Sequence, residues 1–169
     1  MGEAASRFDS PTLLTERHNS AAFDSGEPTL DDWLRQRALE NQRLAASRTY
    51  VVSPAGSMDI CGYAALSMGQ VLARETVGSM RRNIPAQIPS ILLGRLAIDR
   101  NSQGKGLGRL LLADVVARSQ RASREVSARL IIVHAISPAA EAFYLHHGFT
   151  RLPVETPTLA LDLVKLGRF

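Results

Sequence analysis

The chain has 169 residues and a mass of 18.4 kDa; 45% of its residues are hydrophobic, 21% are charged, and the net charge is +4. These values predict one folded domain over residues 1–169 and exclude a disordered or fibrous protein. Because no apolar run approaches the ~20 residues that span a bilayer, and residues 1–10 do not resemble a signal peptide, we expect a cytoplasmic protein without membrane contact. Cys61 is the single cysteine, which excludes an internal disulfide and makes a metal site of several thiolates implausible.

The first third of the chain is expected to form a strand, a helix and a hairpin. Residues 13–18 suggest a short strand, and Thr29 is the expected cap of a helix over residues 30–45, whose apolar residues recur at four-residue spacing. Residues 49–53 and 60–67 are rich in β-forming side chains and flank a Pro-Ala-Gly-Ser turn, which predicts a hairpin of two strands.

The middle of the chain is harder to interpret until a long apolar run begins. A strand over residues 71–77 and a short basic turn or helix over residues 79–83 are compatible with the pattern, and Pro85 and Pro89 interrupt any regular element that follows. Residues 90–99 are almost continuously apolar, which is typical of a strand buried on both faces.

A glycine-rich loop follows this strand, and the remaining elements alternate between helix and strand. Leu107 opens a helix, residues 130–135 form an apolar strand, and residues 158–165 form a last strand. Between the last two strands, Ser137 can cap a helix that has proline at its first position and ends at Gly148. The alternation predicts a mixed α/β fold.

The loop Gln-Gly-Lys-Gly-Leu-Gly, residues 103–108, carries the clearest chemical information in the sequence. Alternating glycines between a strand and a helix let backbone N–H groups approach an anion, and the helix dipole adds positive potential. The pattern is neither a Walker A loop nor a dinucleotide fingerprint. A pyrophosphate site is therefore expected, with Arg100, Lys105 and Arg109 as further cations; the alternative is a flexible glycine turn with solvated charges.

The order of this strand, loop, helix and strand, followed by Ala-Phe-Tyr at 142–144 and Gly-Phe at 148–149, resembles the GCN5-related N-acetyltransferase superfamily. The resemblance implies acetyl-CoA as cosubstrate, no metal, and a mostly antiparallel central sheet, flanked by helices, that opens between the strands ending at Ile98 and Ala135. It also implies that Gln103, Gly106 and Gly108 occupy the pyrophosphate-binding positions of the family. The expected coenzyme-binding residues are Leu96, Ala97, Ile98, Gln103, Gly104, Lys105, Gly106, Leu107, Gly108 and Arg109.

Tyr144 is the catalytic residue that the resemblance implies, as the general acid that protonates the departing thiolate. The alternative is an aromatic ring that only packs beside Phe143 and Phe149. No general base can be named, and none is required if the acceptor is an α-amine that is partly neutral at cellular pH. Three histidines are candidates, although His134 lies in an apolar strand and is expected to be structural; the other two are His146 and His147.

A closer resemblance covers nearly the whole chain. Trp33-Leu34, the run 47–52, Gly62-Tyr63, the segment 88–99 and Phe143-Tyr144 are similar to the bacterial toxin acetyltransferases of toxin–antitoxin pairs. The similarity implies acetylation of the α-amino group of aminoacyl-tRNA, a block of translation, a homodimer, and a ribbon-helix-helix antitoxin. It also implies that toxin and antitoxin together act as a repressor on DNA.

Arginine supplies nearly all the positive charge, since lysine occurs only at positions 105 and 165. Arginine favours bidentate phosphate contacts, although a GC-rich genome would also enrich it. The open alternatives are acetylation of a protein N-terminus or a small amine, and a non-catalytic acyl-CoA binder or a repressor acting only through its antitoxin. The arginines expected to contact tRNA are Arg35, Arg37, Arg43, Arg48, Arg81, Arg82 and Arg95.

Overall fold

The computed structural model describes residues 7–166, in which seven β-strands and four α-helices are present. The strands are β1 (Thr12–Leu13), β2 (Arg48–Val52), β3 (Gly62–Leu72), β4 (Gln87–Ile98), β5 (Leu130–His134), β6 (Thr150–Arg151) and β7 (Thr158–Asp162). The helices are α1 (Pro28–Gln36), α2 (Ala38–Arg43), α3 (Leu107–Glu125) and α4 (Pro138–His146). The predicted mixed α/β fold is confirmed. None of the helices in residues 7–166 combines the length and apolar character that a membrane crossing requires.

The strands form one sheet in the order β1-β2-β3-β4-β5-β7-β6. Pairing is antiparallel between β1 and β2, β2 and β3, β5 and β7, and β6 and β7. β4 and β5 pair in parallel, with Ser90 opposite Leu130 and Leu93 opposite Val133. The two parallel strands are joined by a crossover that contains α3, as parallel pairing requires.

The described chain divides into two compact units, each with its own apolar core. The first comprises residues 7–67 and 95–115, and its core includes Phe23, Leu34, Val51 and Tyr63. The second comprises residues 68–94 and 116–166, and Ile88, Leu130, Leu152 and Ala160 lie in its core. A single domain over residues 1–169 stays a prediction, and residues 1–6 and 167–169 lie outside the described part.

Three N-terminal predictions are wrong in detail. The first strand is only Thr12–Leu13, because a turn begins at Glu16. The helix predicted over residues 30–45 is two helices, which are separated at Arg37 where the backbone (φ −123°, ψ −31°) leaves the helical region. Thr29 does not cap α1: Pro28 occupies its first turn, and the residue before it is in extended conformation.

Strands in the middle of the chain are longer than predicted. β3 covers most of the run 60–67 but continues only to Leu72, so the strand predicted over residues 71–77 is wrong beyond its first two residues, where a short 3₁₀ turn follows. The sequence concealed this continuation because Gly69 and Gln70 interrupt the apolar pattern. By contrast, α4 has the predicted boundaries: the Ser137 hydroxyl accepts from the Ala140 N–H (3.1 Å), and Gly148 (φ +91°) follows the last turn.

Candidate active site

The glycine-rich loop lies between β4 and α3 in the first unit. Gly104 and Gly106 have φ values of +76° and +81°, and a Cβ at either position would meet nothing within 4 Å. Glycine is thus required by the backbone conformation rather than by space. The Gly106 carbonyl accepts the Leu110 N–H (3.0 Å), so α3 starts here and the N–H groups of its first turn lack helical acceptors. This geometry favours an anion at the helix start.

Cations around the loop differ in availability. Arg100 donates to the Asp24 carboxylate (3.2 Å), so its charge is partly neutralised within the protein. Lys105 and Arg109 are exposed and form no ion pair within residues 7–166. Of the three cations predicted near the phosphates, these two are therefore the better placed to neutralise a ligand.

Gln103 holds the start of the loop through its side chain. Its Nε2 donates to the Ile98 carbonyl (3.0 Å) and to the Ser25 carbonyl (3.2 Å). The Asp99 carboxylate reinforces the same contact by accepting from the Asp24 N–H (2.9 Å). The sequence placed Gln103 among the coenzyme-binding residues, but its side-chain amide already fastens the loop to the segment before α1. We infer that Gln103 shapes the loop.

β4 has an edge that β5 covers only in part. The pairing with β5 runs from Ser90 to Leu93, whereas β4 continues to Ile98. The pairing with β5 therefore covers only the first part of β4, and the opening expected between the strands ending at Ile98 and Ala135 stays a prediction. Backbone groups of residues 94–98 on this edge have no β5 partner among the described pairs, and they can hydrogen-bond an extended amide-bearing ligand as another strand would. Leu96, Ala97 and Ile98 lie within this stretch.

Cys61 lies beside the loop but has no catalytic character. The side chain is buried just before β3, and its thiol donates to the Val52 carbonyl (3.3 Å). Burial raises the pKa of the Cys61 thiol, although a hydrogen bond from Ser102 opposes this shift. A protonated buried thiol is a poor nucleophile.

Tyr144 lies on α4 in the second unit and is 5% exposed. Its ring packs edge-on against Phe143 (5.2 Å between centroids) and at a tilt against Phe149 (5.3 Å). Burial raises the pKa of the phenol above its ordinary value, which keeps the proton in place at neutral pH. The hydroxyl forms no hydrogen bond within residues 7–166, and it is not fully buried. A packed ring with an unpartnered hydroxyl fits a group that donates to a ligand.

The three candidate histidines have different surroundings. His147 Nδ1 lies 2.8 Å from the Phe143 carbonyl, and its ring contacts the exposed His146 (5.1 Å between centroids). His134 ends β5 and is exposed, unlike the buried residues that precede it in the strand. Its Nδ1 lies 2.9 Å from the Thr158 hydroxyl. His134 is therefore held at Nδ1, while its side chain as a whole is exposed.

A cavity of about 300 Å³ lies in the second unit, and His134 is part of its wall. We call it the β5 cavity. The lining residues are Gly69, Gln70, Val71, Glu75, Ser90, Leu92, Ile132, His134, Leu152, Val154, Thr156 and Thr158. Sequence reasoning missed this site because its lining residues are separated along the chain, and none belongs to a recognisable motif.

Three of the predicted tRNA-contacting arginines are engaged within the protein. Arg35 donates to the Phe23 carbonyl (2.7 Å) and pairs with Asp32, Arg43 pairs with Glu16 and Glu40, and the Arg95 guanidinium lies 4.2 Å from the Trp33 ring centroid. The other four are exposed and form no ion pair within residues 7–166. They are Arg37 and Arg48 in the first unit, and Arg81 and Arg82 in the second. These four remain the stronger candidates for phosphate contacts.

Comparison with known proteins identifies the family. Residues 57–151, more than half of the chain, match the acetyltransferase (GNAT) domain. The chain is 40% identical over 156 residues to the tRNA-acetylating toxin of Mycobacterium tuberculosis (strain ATCC 25618 / H37Rv), covering 92% of this chain and 93% of the relative.

Two solved structures extend the comparison. AtaT complexed with acetyl-methionyl-tRNAfMet is 28% identical, with a TM-score of 0.87 and coverage of 93% of this chain and 96% of that one. AtaTR bound with AcCoA is 29% identical, with a TM-score of 0.82 and coverage of 95% and 96%. Within residues 7–166, no three or more histidine, cysteine or carboxylate side chains form a possible metal cluster. The resemblance inferred from the sequence is confirmed, and the chain belongs to the acetyltransferase (GNAT) domain family.

Proposed function

We propose that the protein is a toxin that transfers the acetyl group of acetyl-CoA to the α-amino group of aminoacyl-tRNA and thereby blocks translation. The observation that carries this proposal is the 40% identity, over nearly the whole chain, to a relative named a tRNA-acetylating toxin. We also propose a cytoplasmic location, because charged tRNA is found there.

The glycine loop and the open edge of β4 are the elements that we assign to acetyl-CoA. N–H groups at the start of α3, together with Lys105 and Arg109, would bind the pyrophosphate, and the backbone of residues 96–98 would hydrogen-bond the pantetheine amides. N–H groups of the same backbone stretch would stabilise the oxyanion that forms when the amine attacks the thioester carbonyl. The solved AtaTR structure with AcCoA supports a coenzyme site in this fold.

Tyr144 is assigned to the departing thiolate. A thiol has a pKa of about 8.5, which is below that of the buried phenol, so complete proton transfer from Tyr144 to the thiolate is unfavourable by itself. The transfer becomes balanced if the phenol gives its proton to sulfur while the new amide nitrogen loses one to the phenolate. Tyr144 then hydrogen-bonds the leaving group and passes one proton from nitrogen to sulfur.

Partners are proposed on the same basis. AtaT bound to the C-terminus of the antitoxin AtaR and a KacTA–DNA complex are known, at 27% and 28% identity to this chain. We propose that the toxin is a homodimer and that its partner is a ribbon-helix-helix antitoxin. We also propose that the toxin–antitoxin complex binds DNA and acts as a repressor.

The test of the proposed function uses purified protein, labelled acetyl-CoA and a pool of charged tRNAs. Label should appear on the amino acid ester-linked to tRNA and should be released with it by mild base. Uncharged tRNA, free amines and protein N-termini serve as competing acceptors in parallel reactions. Label only on a small amine or a protein N-terminus would overturn the tRNA assignment, and no transfer to any acceptor would support a non-catalytic protein.

A further inference from the structure

The β5 cavity is lined by five apolar and six polar side chains, together with one glycine. Leu92, Ile132 and Leu152 supply apolar side chains, whereas Glu75 and His134 are the titratable groups among the lining residues. Concave sites with this composition commonly hold a small organic ligand that polar groups orient. The cavity can therefore receive a compact group with an apolar part and a polar end.

Hydrogen bonds fix the orientation of His134. Its Nδ1 lies 2.9 Å from Thr158 Oγ1, which in turn lies 3.2 Å from Thr156 Oγ1. If the imidazole donates through Nδ1–H to Thr158, and Thr158 donates to Thr156, all three groups are satisfied and Nε2 keeps its lone pair. In this arrangement Nε2 can accept a proton, and His134 is one of the residues that line the cavity.

Charge gives the cavity a preference among amine ligands. The carboxylate of Glu75 favours a cation, and none of the described residues that line the cavity is a lysine or an arginine. A free amino acid would bring a carboxylate that finds no cation here and is repelled by Glu75, and burying an unpaired charge is unfavourable. An amino acid ester presents the same ammonium group without that carboxylate.

We propose that the β5 cavity binds the amino acid of charged tRNA, with Glu75 attracting its α-ammonium group and His134 Nε2 accepting a proton from it. This inference deepens the proposed function and rests on it. The ammonium nitrogen loses one proton to Nε2, and the imidazolium releases that proton to water. The free amine forms the C–N bond, the C–S bond breaks, and the exchange through Tyr144 moves the second proton from nitrogen to sulfur. The products are an N-acetyl aminoacyl ester and the coenzyme A thiol.

The pH dependence of a His134→Gln variant tests the base role. At pH 7 we expect kcat/KM for charged tRNA to fall by about 10-fold, less than for many general bases because part of the amine is already neutral. The difference in kcat/KM between the variant and the wild type should disappear as the pH approaches 9, because most of the amine is then deprotonated without a base. A purely structural histidine would leave a deficit that does not change with pH.

Two variants accompany this measurement. Thr158→Val removes the hydroxyl that orients His134 and should give a smaller deficit with the same pH dependence, whereas Thr158→Ser should restore activity. His18→Gln removes a histidine of the first unit whose Nδ1 contacts the Thr15 N–H (3.0 Å) and hydroxyl (3.1 Å), and it serves as the matched control. An unaltered pH profile in His134→Gln, or equal effects in His134→Gln and His18→Gln, would contradict the proposal.

Small substrates test the preference for esters independently of tRNA. The wild-type protein with acetyl-CoA should acetylate alanine methyl ester at least about 10-fold faster than free alanine, and Glu75→Gln should reduce this ratio. If charged tRNA is acetylated but neither Glu75→Gln nor His134→Gln has an effect, the cavity assignment fails and the proposed function stands. If the ester preference depends on Glu75 and His134 but no charged tRNA is acetylated, the proposed function fails instead.

Discussion

At the scale of single residues, Tyr144 combines a packed aromatic ring with a hydroxyl that is left available for a ligand. The ring is packed among aromatic side chains, which would suffice to explain an aromatic residue at this position. Its hydroxyl, however, has no partner in the described part of the chain. Removal of the hydroxyl should therefore be almost neutral for folding, and any effect should be catalytic.

Replacement of Tyr144 by phenylalanine is expected to lower kcat by about 100-fold, at the lower end for general acids because the phenol is a weaker acid than the thiol that it protonates. The KM for acetyl-CoA should change little, since the ring remains. Release of coenzyme A thiol measures the rate, and thermal unfolding measures stability. A variant that retains full turnover would show that Tyr144 only packs.

At the scale of elements, the position of the glycine loop depends on a backbone conformation that only glycine adopts readily. Gly106 has a positive φ and open space around its missing Cβ, and so does Gly56 in the turn before β3 (φ +74°). The two positions therefore share the same strain cost on substitution but differ in whether a ligand is expected beside them.

Gly106→Ala and Gly56→Ala form a matched pair. Each should destabilise the fold by about 1 kcal/mol, because alanine is strained at these φ values. Only Gly106→Ala should also weaken acetyl-CoA binding, by roughly 5- to 10-fold, because the loop N–H groups are displaced. Calorimetric titration with acetyl-CoA checks this, and equal affinities in the two variants would argue against a phosphate site at the loop.

A buried ion pair connects Arg129, directly before β5, with Asp162 at the end of β7. Arg129 Nε and Nη2 donate to the two oxygens of the buried Asp162 carboxylate (2.8 and 3.0 Å), and the Val164 N–H donates to the same group (3.1 Å). Burial opposes the charge of Asp162, but the Arg129 and Val164 contacts outweigh it and hold the pKa below its usual range. The carboxylate therefore favours the folded state only while it is ionised.

Asp162→Asn is expected to lower the free energy of unfolding by about 3 kcal/mol at pH 7, because it leaves Arg129 without its charge partner. Since the folded-state pKa is depressed, the wild-type advantage is complete above the unfolded-state value near ~4 and is lost as the pH falls through the folded-state value. Urea unfolding between pH 7 and pH 2.5 should show the two proteins converging in acid. A constant difference would mean that packing accounts for the effect.

Elements whose boundary residues lie close together in the sequence are the ones that could be predicted. The cap, first proline and terminal glycine of α4 all lie within one short segment, and its boundaries were predicted correctly. The break at Arg37 carries no glycine or proline, and the extension of β3 past Gly69 depends on neighbouring strands. Gln103 was assigned to the coenzyme, while its contacts with Ser25 and Ile98 exist only in the folded chain.

At the scale of the whole molecule, exposed and internally engaged arginines should contribute differently to tRNA affinity. Replacing Arg81 or Arg82 by glutamine should weaken tRNA binding and reduce the slope of log affinity against log salt by roughly 0.7 to 0.9 for each phosphate that the variant no longer neutralises. Arg151→Gln changes the net charge equally, but Arg151 is paired with Glu141 (2.6 Å). It is the control and should leave the slope unchanged; identical slopes in all variants would contradict a role of Arg81 and Arg82 in tRNA binding.

The use of arginine for most of the positive charge also affects whether the protein can acetylate its own side chains. A guanidinium stays protonated in proteins and is therefore no nucleophile toward an acyl group, whereas a lysine amine can be acylated once neutral. Lysine occurs only at positions 105 and 165 of this chain. The arginines that we assign to RNA would therefore keep their charge in the presence of acetyl-CoA, and acetylation of lysine side chains is limited to two positions, one of them in the loop assigned to the acetyl donor.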